Sequence, residues 1–255
     1  KTIEAVVAGT AGIAGIAGSM DQEDASVRLR KMSNRMAHRG PDAEGYFAER
    51  GIALGHRRLS IIDLSEKANQ PLFDSTERFS IILNGEIYNY KEIKASLPDY
   101  PFVTDSDTEA IVAAYATHGP ACLSMINGMF AFAIWDRENA ELFVARDRLG
   151  VKPLYYTFTD DGVFIFASEI RAILESGLVQ RKLSETGLYD YLMYQSTYAP
   201  ATIVDGIFQL KAGQYCVFAK GELSFTSYWK IEETDTDRCV DQLPEVHKNV
   251  RELLT

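Results

Sequence analysis

The sequence predicts an α+β protein in which two β-sheets pack face to face. Three observations carry that prediction. Short apolar runs recur along the chain, each bounded by turn residues, as strands are. Only a few stretches show the three-to-four-residue apolar spacing of helices. The connections at 136–139 and 160–162 are short and rich in Asp, Asn and Gly, which suits tight turns.

The elements follow in order. Residues 12–16 read as a small apolar strand in a crowded place, since Gly allows close backbone approach. Residues 21–37 read as an amphipathic helix with Val27, Leu29, Met32 and Met36 on one face, ended by His38-Arg39-Gly40-Pro41-Asp42. Strands are predicted at 52–54, 59–62 and 79–83. Ser106-Asp107-Thr108-Glu109 fits a capping box, so a helix starts there and Gly119-Pro120 stops it. A strand meander is predicted over 129–135, 141–146, 152–158 and 163–168. Helices follow at 170–174 and 187–194, then a hairpin over 213–229 around Lys220-Gly221. Residues 232–237 are polar and acidic and read as a linker, and 242–254 reads as a helix with no partner in the chain.

Composition narrows the function classes. The 255 residues carry a net charge of −10, which leaves no basic stripe for nucleic acid. The three cysteines are widely spaced and form no C-x-x-C pair, so neither a zinc site nor a disulfide framework is expected. A reducing cytoplasm is the expected home. The apolar stretch at 5–18 is Gly-rich, follows a single basic residue and is too short to span a bilayer, so no membrane partner is expected. None of the four histidines stands at a metal-ligand spacing from a Cys or carboxylate, and His38 and His56 read as structural.

Four motifs carry the chemistry. They are Thr10-Ala11-Gly12-Ile13-Ala14-Gly15-Ile16, the run from His56 to Leu64, Asn84-Gly85-Glu86-Ile87-Tyr88-Asn89, and the Ser106–Glu109 segment. Together they resemble the class II glutamine amidotransferase domain of glutamine-dependent asparagine synthetase, a branch of the N-terminal-nucleophile hydrolases. The runs 146–156 and 166–170 resemble asparagine synthetase as well, and the resemblance covers residues 11–230. It implies a four-layer αββα sandwich of two antiparallel sheets. It also implies a shared face toward a synthetase domain, shaped by the charged residues of those two runs.

The family's nucleophile is a cysteine at the first residue of the mature chain, whose own α-amine serves as base. An α-amine with pKa of about 7.7–8.0 suits that task near neutral pH. Here Ala11 stands at that position, and ten residues precede it. A second register, Ala14 to Gly18, also fits the small-residue pattern, and it too lacks a cysteine. The resemblance implies that Asn84 and Gly85 stabilise the oxyanion. Taken alone, Asn-Gly is more often a hairpin turn. Arg58 matches the clamp for the substrate carboxylate, a role that suits a guanidinium. Asp107 matches the anchor for the α-ammonium, with helix capping as its plainer role. Glu86 is a further pocket residue, and the backbone of Leu59, Ser60, Ile61 and Ile62 lines the wall. Arg57 reads as a solvated or structural charge.

The expected partners are L-glutamine and a synthetase domain in cis or in trans, with a homodimer left open. ATP and magnesium are expected only in that synthetase domain, whose Ser-Gly-Gly-x-Asp-Ser loop occurs nowhere in these residues. Residues 1–10 read as a propeptide or cloning remnant, 11–230 as the amidotransferase domain, and 231–255 as a linker plus the first helix of a truncated synthetase domain. An engineered knockout or an uncleaved precursor ranks above natural degeneration as the origin of Ala11. The leading expectation is a glutaminase domain in a form unable to hydrolyse glutamine. The alternatives are a structural docking domain of an enzyme forming another amide bond, and a glutamine sensor.

Overall fold

The computed structural model describes residues 11–59, 66–231 and 243–253. The segments read as an N-terminal extension, as the wall at Ser60, Ile61 and Ile62, and as the 232–237 linker lie outside the described residues. So does most of the strand expected at 59–62.

Two six-stranded sheets form the centre. The first contains β1 (Gly12–Ala17), β2 (Ala43–Glu49), β3 (Ile52–Arg58), β8 (Tyr155–Phe158), β9 (Phe164–Ala167) and β10 (Phe208–Gln209), in the order β10-β8-β9-β1-β3-β2. The second contains β4 (Leu72–Phe73), β5 (Phe79–Ile87), β6 (Gly128–Asp136), β7 (Glu141–Arg146), β11 (Gln214–Ala219) and β12 (Glu222–Ser227), in the order β12-β11-β7-β6-β5-β4. Every strand pairing is antiparallel.

Strand alternation sorts the core into layers. Ile13, Leu54 and Phe166 of the first sheet meet Ile82, Val144 and Phe218 of the second in the central layer. The opposite face of the first sheet, with Ala14, Ile16 and Ile165, packs on α1 (Gln22–Arg35) and α4 (Ile170–Glu175). The outer face of the second, with Ile81, Leu83 and Phe132, packs on α2 (Tyr90–Ala95) and α3 (Asp107–His118). The result is the four-layer αββα sandwich. Gly15 is what lets the central layer close: a Cβ there would lie 2.2 Å from the Phe166 ring.

Several sequence expectations hold. The hairpin at Lys220-Gly221 forms, with both turn residues at positive φ as a tight two-residue turn requires. Leu29, Met32 and Met36 are buried under α1, but Val27 is 48% exposed and Ala25 and Ser33 complete the buried face instead. The helix α5 (Glu185–Tyr194) begins two residues earlier than expected, with Ser184 capping it. The helix α6 (Leu243–Leu253) also forms.

Other expectations need correction. The 129–168 region is not one meander. β6 and β7 form a hairpin in the second sheet, β8 and β9 form one in the first, and residues 147–154 cross between them. Two buried charges hold that crossing. Arg146 donates to the carbonyls of Gly150, Lys152 and Leu210 at 2.6–2.7 Å. Asp147 accepts from the amides of Phe130, Leu149, Val151 and Lys152 at 2.9–3.2 Å. Arg146 and Asp147 are 6% and 1% exposed, so they fold their own loop rather than shape an outward face.

The capping box is incomplete. Ser106 caps α3 by accepting from the Thr108 amide. The Glu109 carboxylate does not close the box; it accepts from the amides of Val103 and Thr104 and from the Thr104 hydroxyl, each at 2.8 Å. Those donors belong to the irregular segment before the helix, so Glu109 satisfies the entering loop. Asn84-Gly85 is not a turn either, since both residues lie within β5 opposite Ala131 and Phe130.

Candidate functional site

Where the ends of β1 and β3 approach the edge of β5 and the first turn of α3, the chain encloses a pocket. Ala11, Arg58, Leu59, Gly85, Glu86 and Asp107 line it. Thus six residues from four separate stretches of the sequence converge on one cavity. Asn84 lies behind its wall, fully buried between the sheets. Its Nδ2 is 3.4 Å from Ser168 Oγ, and among the described residues its Oδ1 has no hydrogen-bond partner.

Position 11 is held from several sides. Arg39 Nε donates to the Ala11 carbonyl at 3.1 Å. Two residues on, Ile13 and Ser168 exchange hydrogen bonds. The Ile13 amide donates to Ser168 Oγ at 3.1 Å, and the Ser168 amide donates to the Ile13 carbonyl at 2.9 Å. Glu169 anchors the same region by accepting from Arg39, Arg171 and His38. Burial raises the Glu169 carboxyl pKa, but those three donors outweigh it and hold the group below its ordinary value.

The edge of β5 sets the direction of the Gly85 amide. Phe130, opposite Gly85, spends its carbonyl on the Asp147 amide at 2.8 Å and its amide on the Asp147 carboxylate at 3.2 Å. In an antiparallel ladder both groups of a residue point to one side, so Gly85 and Phe130 form a non-hydrogen-bonded pair. The amides of Leu83, Gly85 and Ile87 therefore point away from β6, toward the pocket. Gln70 Oε1 takes the Leu83 amide, and Asp107 Oδ2 takes the Ile87 amide at 3.0 Å. Only glycine fits at 85, because a Cβ would lie 2.3 Å from the Met129 carbonyl oxygen.

Asp107 is not the cap of α3 but its first residue, and it is 6% exposed. Burial pushes its carboxyl pKa up, against the pull of the Ile87 and Thr108 hydrogen bonds, and nearby Glu86 adds to the rise. Arg58 is buried, and its Nη1 donates to Asn69 Oδ1 at 2.6 Å. Arg57 is structural: it bonds Ser33, Asn34 and Glu44.

Sequence reasoning missed His56, Gln70, Thr108 and Lys152, which also line the pocket. His56 was detectable, because it stands two residues before Arg58 on β3 and strand alternation puts both on one side. Lys152 falls in a quoted motif but points to the pocket rather than outward, and its ammonium pKa is lowered by burial. Gln70 carries no local signal.

His56 is fully buried, with Nε2 3.0 Å from the Leu83 carbonyl oxygen. That contact needs a proton on Nε2, and Nδ1 has no partner among the described residues. Burial, with some help from Arg58, lowers the His56 pKa to about 4. An unfolded histidine protonates near 6.5, so between pH 6.5 and 4 the unfolded state binds the extra proton and stability falls as pH falls. The expected loss is about 3 kcal/mol at a 1.4 kcal/mol cost per pKa unit. Urea unfolding at pH 7 and pH 4 measures it, and His56→Gln removes that share of the pH dependence.

Comparison with known proteins identifies the family. Residues 11–229 match the family model described as a glutamine amidotransferase domain. The chain is 37% identical over 232 residues to asparagine synthetase [glutamine-hydrolyzing] 1 of Bacillus subtilis, covering 88% of this chain and 35% of that protein. It is 39% identical over 180 residues to asparagine synthetase B [glutamine-hydrolyzing] of Escherichia coli, covering 69% and 32%. The chain therefore spans about a third of the length of these two curated relatives. Among solved structures, the glutamine phosphoribosylpyrophosphate amidotransferase of B. subtilis, complexed with ADP and GMP, aligns with a TM-score of 0.61 at 20% identity. That alignment covers 86% of this chain and 49% of that one, and it is a likeness of fold. From its match along residues 11–229 and its glutamine-hydrolysing relatives, this chain belongs to the glutamine amidotransferase domain family.

Proposed function

We propose that this chain binds L-glutamine as the glutaminase domain of an asparagine synthetase-like enzyme, in a form that cannot hydrolyse it. One observation carries the reading: Arg58, Asp107 and Gly85 converge on the cavity that Ala11 lines. Arg58 grips the α-carboxylate, a task that suits a planar guanidinium. Asp107 accepts from the α-ammonium. Glu86 and Lys152 add one charge of each sign, so the pocket balances a zwitterion. The Gly85 amide faces the developing oxyanion; Asn84, the second donor of this proposal, rests behind the wall with Nδ2 3.4 Å from Ser168 Oγ. Leu59 lines the wall of the cavity.

In a competent relative, a thiol at position 11 attacks the carboxamide carbon. The C–N bond breaks and ammonia leaves with a proton returned by the α-amine. Water then cleaves the thioester to glutamate and restores the thiol. Ala11 supplies no thiol, and residues 1–10 leave no free amine there. A synthetase domain, in cis or in trans, would use the ammonia for ATP- and magnesium-dependent amidation of aspartate. Residues 231–255 are the approach to that domain, with α6 as its first helix. A homodimer and a cytoplasmic location belong to the same proposal. Among the described residues, no helix is long and apolar enough to cross a membrane.

Calorimetric titration tests the reading. The chain takes up one L-glutamine, and Asp107→Ala weakens binding about 30-fold or more, as expected when a buried charged partner is lost. Because ammonium binding needs the carboxylate, affinity rises with pH through the elevated Asp107 pKa. A folded chain that ignores L-glutamine, with or without residues 1–10, favours a docking role instead.

A further inference from the structure

We infer that Gln70 is a positioning residue that makes the β5 edge a ruler for side-chain length, selecting L-glutamine over L-asparagine. The inference rests on the reading of the pocket as a glutamine site.

Three amides point from β5 into this region, and two are already occupied. Gln70 takes that of Leu83, and Asp107 takes that of Ile87. Among the described residues, the Gly85 amide between them is the donor left for a ligand. The Gly85 amide and the Ile87 amide that fixes the Asp107 carboxylate are two strand residues apart, about 6.8 Å at 3.4 Å rise each, which sets the scale of the span between the two anchors. Five bonds separate the α-nitrogen of glutamine from its carboxamide oxygen, and four separate them in asparagine. Each bond of an extended chain adds about 1.3 Å. Glutamine comes within hydrogen-bonding reach of both ends, whereas asparagine must release one.

The ruler works only if its two ends are fixed to each other. Asp107 stands on α3, and Gly85 stands on β5. Gln70 ties the two elements together. Its Oε1 accepts from the Leu83 amide on the strand, and its Nε2 donates to Thr108 Oγ1 on the helix at 3.0 Å. Thr108 is 1% exposed and directly follows Asp107, so the link holds the ammonium anchor at a set height along the strand. Gln70 itself is occupied at both ends of its carboxamide, so it acts through Leu83 and Thr108 rather than on the ligand.

The test is calorimetric titration with L-glutamine and L-asparagine of the unaltered chain, Gln70→Met and Gln70→Glu. One methylene is worth about tenfold or more in a fitted pocket. The unaltered chain is expected to favour L-glutamine by that factor. Gln70→Met, which keeps the shape but loses both links, should bring the ratio below about threefold, mainly by weakening L-glutamine. Gln70→Glu still accepts from the Leu83 amide and can accept from Thr108, and it should restore the ratio. If Gln70→Met does not fold, Thr108→Val cuts the helix link, together with the 3.5 Å hydroxyl contact to Asp107, and should lower the ratio in the same direction while Thr108→Ser, which keeps both bonds, should not. A folded Gln70→Met chain that keeps its ratio, or weakens both ligands in proportion, overturns the inference while leaving the glutamine site standing. An unaltered chain that binds neither amino acid overturns both.

Discussion

A chain beginning at residue 11 and carrying Ala11→Cys is expected to release ammonia from L-glutamine, and the Ala11 chain is expected to release none. The Gly85 amide points to the cavity side of β5, and Arg58 and Asp107 line that cavity. Position 11 is already fixed by Arg39 and, through Ile13, by Ser168. A thiol there would emerge at the cavity wall. The free α-amine, with a pKa of about 7.7–8.0, would sit beside it as base. Loss of a nucleophile costs on the order of 10⁶ in rate where it has been measured, so restoring it is the largest effect available to one substitution. Ala11→Cys with residues 1–10 retained provides the control, since it has the thiol but not the amine and should be far slower. An ammonia-release assay on the three chains reads the difference. If the shortened Ala11→Cys chain binds L-glutamine but releases no ammonia, more than the nucleophile is missing.

The second large effect is structural. Asp147→Ala takes the acceptor from four amides, those of Phe130 and Lys152 buried and those of Leu149 and Val151 on the exposed side of the loop. A buried donor stranded this way costs about 1–3 kcal/mol, and some of the four recover water once the loop loosens. The net loss expected is about 3–5 kcal/mol, near the upper end for a single substitution. Asp147→Asn keeps part of the acceptor set and should fall between. Urea unfolding midpoints measure both, and a loss below about 1 kcal/mol for Asp147→Ala would contradict the assignment. The same variant displaces Lys152, so weaker glutamine binding should accompany the loss.

Asp147 also shows where sequence reading stops. The strands at 141–146 and 163–168 were legible because their apolar runs end at turn residues. Which sheet each joins was not legible, because the decision lies in the crossing at 147–154. That crossing is held by Arg146 and Asp147, whose partners are backbone groups with no residue identity to read. The hairpin at Lys220-Gly221 was legible because two consecutive positive-φ positions favour such a pair. The short α2 and β4 gave too few turns or pairs for a periodic signal. The pocket divides the same way. Arg58, Gly85, Glu86 and Asp107 were found through motifs, and the fold brings them together. Gln70 was not, since its meaning comes from Leu83 on one element and Thr108 on another. His56 read as structural, and its bond to Leu83 agrees, but it also faces the cavity.

The central claim is that L-glutamine occupies the cavity between Ala11, Gly85 and Asp107. Its most direct test is a titration of the ¹⁵N- and ¹³C-labelled chain with L-glutamine, followed by nuclear magnetic resonance. The account predicts that the Gly85 amide and the Ala11 methyl shift together and saturate at one equivalent, while L-glutamate at the same concentration moves them less. Saturable shifts elsewhere with Gly85 and Ala11 unmoved, or no shifts at all, would contradict it.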